Sequence, residues 1–153
     1  MSVTDAPVQE PGPRIRALSL AAVEALRAEN RAAAARLRAC RELYVLCEDE
    51  QFDRAVAAGY GPGADEEPSY AIIDPLDVAC AELVAAHGIH HLRARALVTL
   101  ANTLTLRFPG LLEAMDSGRL DENTASLPAR HMRTVDSSLV DQVHREVIGW
   151  LLE

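Results

Sequence analysis

The chain has 153 residues, enough for one domain with a real core; 26 of them are alanine and aromatics make up only 4%. All fifteen basic residues are arginine, and 23 acidic residues leave a formal net charge of −8, which disfavours nonspecific adhesion to nucleic acid or anionic membrane. Abundant alanine with few rings favours closely approaching helices over sheets, so the expected fold is all-α: a long N-terminal alanine-rich helix plus a bundle of shorter helices containing a helix-turn-helix-like hairpin.

Residues 1–13 hold Asp5, Glu10 and Pro11-Gly12-Pro13 where a secretion signal needs a basic start and an apolar run, and read as a flexible arm. No proline interrupts the chain between Pro13 and Pro62, which predicts a helix over 14–58. Along it Val23, Leu26, Asn30, Ala33, Leu37, Cys40, Tyr44 and Cys47 recur at alternating steps of three and four, the repeat that keeps one stripe facing a partner helix. Asn30 on that stripe either fixes the register of a helix pair or sits at a wet edge. Arg27, Arg31, Arg38 and Arg41 share an arc beside it, suited either to tracking a phosphate backbone or to pairing with the acids of residues 48–67. Charge is segregated: residues 14–41 carry seven arginines and two glutamates, whereas 42–82 carry eleven acids and one arginine. A basic face could act locally, or the two segments could neutralise each other.

Residues 59–73 combine Gly59, Gly61, Pro62 and Gly63 with Asp65-Glu66-Glu67 and read as an exposed acidic connector within a single helical domain, 14–153. Asp74-Pro75-Leu76-Asp77 supplies an N-cap, a proline for the first helical position and an acid for the first turn. Val78, Leu83, Val84 and Ala86 give that helix an apolar face, and Gly88 ends it. A second helix over 90–107 follows, with Leu92, Ala96, Leu100 and Leu104 at helical spacing. Pro109 opens a short helix ending near Ser117-Gly118, Asp121 caps the next, and Pro128 is expected to kink or divide it. Asp136-Ser137-Ser138 caps a last helix with Leu139, Val143, Val147 and Leu151 inward. That helix meets no stop signal before Glu153, so the expectation is a chain incomplete at its C-terminus.

Three cysteines, Cys40, Cys47 and Cys80, lack metal-type spacing and fit a reducing cytoplasm. His87, His90 and His91 are broken by Gly88 and have no fixed acid or thiol beside them, so no metal site is expected. The longest uncharged central run, Ala96–Leu106, is shorter than the roughly 20 residues of a membrane helix. His131, His144, Asp136, Ser137 and Ser138 form no catalytic signature, and no cofactor motif or small-molecule site is evident. The chain reads as noncatalytic.

Glu82–Ala86, Gly88-Ile89 and His90–Leu100 match the layout that places a recognition helix in the major groove. His90, His91, Arg93 and Arg95 are then the candidates for base edges and phosphates, because guanidinium forks fit both. Two departures stand out: Val84 occupies the position usually held by alanine, and His90 the cap usually held by serine or threonine.

Ala81–Ile89, Ala94–Leu97, Phe108-Pro109-Gly110-Leu111-Leu112-Glu113-Ala114-Met115 and Gly118-Arg119-Leu120 together resemble the 13E12 repeat family, a bacterial domain of unknown function that commonly precedes an HNH endonuclease domain. The resemblance implies a helical region of a DNA-associated protein whose nuclease part lies further toward the C-terminus. No catalytic residue carries over. Two functions are therefore expected in competition: a noncatalytic module that binds or positions DNA, and a protein-interaction or dimerisation module in which the long helix pairs with another copy or a downstream nuclease domain.

Overall fold

The computed structural model describes residues 12–60, 73–132 and 134–152. Within them the chain forms α1 (Pro13–Ala57), α2 (Pro75–His87), α3 (His91–Arg107), α4 (Pro109–Asp116), α5 (Glu122–His131), a 3-10 turn (Ser137–Leu139) and α6 (Val140–Leu152), with no strand among the described residues. The fold is all-α, as composition predicts. The expected arm before Gly12 and most of the acidic connector lie outside the described residues.

Local chemistry sets the boundaries. α1 runs for 45 residues, about 68 Å at 1.5 Å per residue, because nothing inside it breaks a helix. Asp74 accepts from the Leu76 amide at 2.9 Å and Pro75 opens α2; Gly88, at φ 62°, ends it in the left-handed conformation that glycine adopts without a Cβ penalty. His90 does cap α3, with Nδ1 accepting from the Leu92 amide at 3.2 Å. Asp121 accepts from Thr124 N at 3.0 Å and Thr124 Oγ1 at 2.7 Å, and these bonds hold its carboxyl below the usual range.

α1 is the spine, and α2, α3 and α4 pack along its C-terminal two-thirds. The contact is built from small residues: Ala34, Ala79, Ala94, Ala101, Ala114 and Ala125 are wholly buried, which lets helix axes approach closely around Leu37, Val98, Leu104, Phe108, Leu111 and Met115. Gly118, at φ 77° in the α4–α5 turn, touches the spine directly. A Cβ there would lie 2.9 Å from Arg27 Cβ and 3.1 Å from the Arg27 carbonyl oxygen, and Asn30 Nδ2 donates to the Gly118 carbonyl at 3.0 Å.

Four expectations need correction. Ala86 is exposed, and the deepest residues of α2 are Ala79 and Cys80. On α3, Leu92 and Ala96 face solvent, and the buried row is Ala94, Leu97, Val98, Ala101 and Leu104. Pro128 does not divide α5: it removes the donor that would reach the Thr124 carbonyl, yet the helix continues to His131, held by buried Ala125 and Ala129, and Met132 N donates to the Pro128 carbonyl at 2.9 Å. Leu139 lies outward in the 3-10 turn, while Val147 is the buried residue of α6.

Candidate functional site

The predicted basic residues are mostly engaged by neighbours. Arg93 donates to Glu122 at 3.1 Å and Arg95 to Asp77 at 2.6 Å; Arg27 pairs with Glu24 at 2.8 Å, and Arg38 with Asp116. Arg41 donates to Asn102 at 2.9 Å and lies over the Tyr44 ring. The cap takes up His90, and His91 is exposed beside it. Arg31 has no ion pair among the described residues and approaches Gly118. The four predicted on α3 and its cap are thus not gathered with the four on α1. Instead, Arg27 and Arg119 line one small groove with Gly118, next to Arg31.

The predicted seam divides in two. Ala33, Leu37, Cys40 and Cys47 are buried, Asn30 and Tyr44 partly so, and the helices that cover them belong to this chain. Burial pushes all three cysteine thiols up, so they are protonated packing groups. Asn30 settles as a bonded edge residue through its contact to Gly118. Val23 and Leu26 remain 42% and 58% exposed.

The exposed half of the seam extends further than the sequence pattern indicated. At about 100° per residue, Ile15, Leu18, Ala22 and Leu26 fall within roughly 60° of the direction of Ala33. That is the side on which Leu37, Cys40, Cys47, Gln51 and Ala55 are buried. The spine therefore carries one continuous apolar stripe, covered from Ala33 onward and bare before it. A groove of about 390 Å³ at the junction, lined by Val23, Leu26, Leu151 and Leu152, continues the bare surface onto the end of α6.

No family model, curated protein or solved structure matches this chain. Function rests on its own residues.

The remaining predicted polar groups have structural roles. Asp136 accepts from Ser138 N and Oγ, which holds its carboxyl below the usual range. His144 Nε2 accepts the Gly110 amide at 3.1 Å, and its ring meets Phe108 edge-on. Among the described residues no group of three or more His, Cys, Asp or Glu could hold a metal ion, and no helix is long and apolar enough to cross a membrane.

A second surface was missed by the sequence reading. Arg93 reaches Glu122 at the start of α5, and Arg107 reaches the Met132 and Val135 carbonyls just beyond its end, so α3 and α5 run side by side in the same direction. Between them and Leu76 lies an open groove of about 770 Å³. Its signal was the leftover apolar positions of α3, Leu92, Ala96 and Leu100, which had been assigned to the core.

Proposed function

We propose that this chain is a noncatalytic helical interaction module that dimerises through the bare half of α1. The observation that carries this is the apolar stripe from Ile15 to Leu26, in register with the chain's own buried seam and covered by none of the described helices.

A second copy in antiparallel orientation fits it. Centring the pair between residues 20 and 21 sets Ile15 against the partner's Leu26 and Leu18 against the partner's Val23. The first turns of the segment carry Arg14 and Arg16, and its last turns carry Glu24 and Glu29 with Arg27. In this register Arg14 comes within two residues of the partner's Glu29 and Arg16 within two residues of the partner's Arg27, while Glu24 lies on the far side of the helix paired with Arg27. Antiparallel pairing thus offers one favourable contact per copy where parallel pairing sets like charge against like throughout. The length also matches, because each helix begins at Pro13 just where the other chain's α4–α5 turn begins to cover the spine. Ile15 of each copy then lies beside the groove of Leu151 and Leu152 on the other.

Burying a Leu, Ile or Val fully is worth about 1.5–3 kcal/mol, so these half-exposed side chains contribute roughly 1–2 each. Eight of them give roughly 8–16 kcal/mol against an association cost of about 4–15. The balance spans from no association to about 12 kcal/mol net, and a micromolar dimer corresponds to about 8 of it, in the upper part of that span. Light scattering across the micromolar range should show a concentration-dependent doubling of mass that Leu18→Asp abolishes; a monomer throughout, with Leu18→Asp unchanged, would overturn the reading.

DNA positioning is a second reading, supported by Arg27, Arg31 and Arg119, three guanidiniums around Gly118 with Glu24 as the one carboxylate that pairs with them among the described residues. Such a cluster suits phosphate contact. Titration of labelled duplex at low salt should then weaken with Arg31→Ala and Arg119→Ala and with added salt. Absent binding, or binding indifferent to both changes, rejects it.

A further inference from the structure

The groove between α3 and α5 is independent of the dimer surface. Its floor is apolar, formed by Leu76, Leu97, Leu100 and Ala129, with Ala96 and Leu92 at its mouth, the latter 68% exposed. From Leu92 to Leu100 it runs about 12 Å, two helical turns. Its rim is basic on a chain whose net charge is −8. Glu122 is shared by Arg36 and Arg93, Arg95 is paired with half-exposed Asp77, and Arg130 donates to Ser126 Oγ at 2.7 Å with no carboxylate partner among the described residues. Among the lining residues three guanidiniums, Arg93, Arg95 and Arg130, thus meet one carboxylate, Glu122, and the half-exposed pair of Arg95 with Asp77 is worth about 0–1 kcal/mol, so an incoming carboxylate can displace it.

We infer that this groove binds an acidic amphipathic helix of a partner protein, its apolar anchors seated along Leu92, Ala96 and Leu100 and its carboxylates on Arg130, Arg93 and Arg95. Three properties select that occupant. The open wall at Leu92, Ala96 and Thr99 does not enclose a small molecule, whereas helix-in-groove recognition needs one apolar trough with anchors at i, i+4 and i+7. The lining holds no aromatic ring on which a base could stack, and its floor offers leucine where a nucleic acid needs polar contacts. The surplus of guanidinium selects an acidic ligand over a basic one.

The test is amide chemical-shift mapping of the full chain with a synthetic peptide of roughly 14 residues, leucines at i, i+4, i+7 and glutamates on the flanking faces. Saturable shifts at Ala96, Leu100 and Ala129 are expected. Arg130→Glu, which reverses the free cation, and Ala96→Trp, which fills the trough from an exposed position, should each weaken binding by about tenfold or more with helical content retained. No saturation at millimolar peptide, equal binding of a scrambled peptide, displacement by duplex DNA at lower concentration, or shifts confined to Ile15–Leu26 would each overturn the inference.

Discussion

Gly118→Ala tests how closely the α4–α5 turn docks on the spine. Two costs combine at this position. A side chain at φ 77° costs about 1–2 kcal/mol for the left-handed backbone. The added methyl also meets Arg27 Cβ at 2.9 Å and the Arg27 carbonyl at 3.1 Å, and overpacking against a backbone that cannot yield costs about 1–3 kcal/mol more. Gly88→Ala is the matched control, because Gly88 has φ 62° but nothing within 4 Å of its Cβ position. Urea unfolding should therefore give about 1–2 kcal/mol for Gly88→Ala and about 2–5 for Gly118→Ala, the latter lowering the melting temperature by roughly 4–20 °C. Equal losses at the two glycines would refute the close docking of Gly118.

Burial pushes His144 below its ordinary value of 6.5, against the opposing pull of Asp141 and Glu113, and only the neutral ring can accept the Gly110 amide. The unfolded chain then binds the extra proton as pH falls below about 6.5, so stability present at neutral pH is lost from there downward. Urea midpoints between pH 7.5 and 5 should fall for the wild type and flatten in His144→Gln; parallel profiles would contradict this. Leu37→Ala, on the covered part of the stripe, should cost about 2–5 kcal/mol, while Leu26→Ala on the bare part should cost under about 0.5 at nanomolar concentration, both read from denaturant melts. Arg95→Ala should change stability by less than about 1 kcal/mol, and less again in high salt, because its pair with Asp77 is half-exposed on both sides.

The helix boundaries were legible because single residues set them: Asp74, Gly88, Asp121 and the prolines lie where the caps and breaks form. The α3 face was misread for a geometric reason. A strict i+4 row winds about 40° around a helix at each step, so a line that starts on exposed Leu92 ends on buried Leu104. Ala94 and Ala101, which face the spine, looked no different from exposed alanines. The α1 seam was visible, but a periodic stripe does not say whose helix covers it. Here the chain's own helices cover one part and leave the other bare. The arginine row was equally ambiguous, since the partners of Arg38 and Arg41, Asp116 and Asn102, are tertiary neighbours 78 and 61 residues away.

The antiparallel dimer is tested most directly by one spin-label distance. Glu42→Cys places a label on an exposed site of α1, and the native thiols, buried and held protonated, label slowly. Position 42 lies about 32 Å along the helix from the proposed two-fold point, so labels on the two copies should sit about 65 Å apart. A distance of roughly 10–20 Å would mean parallel pairing, and no dipolar coupling at concentrations above the expected micromolar range would mean that the stripe does not join two copies.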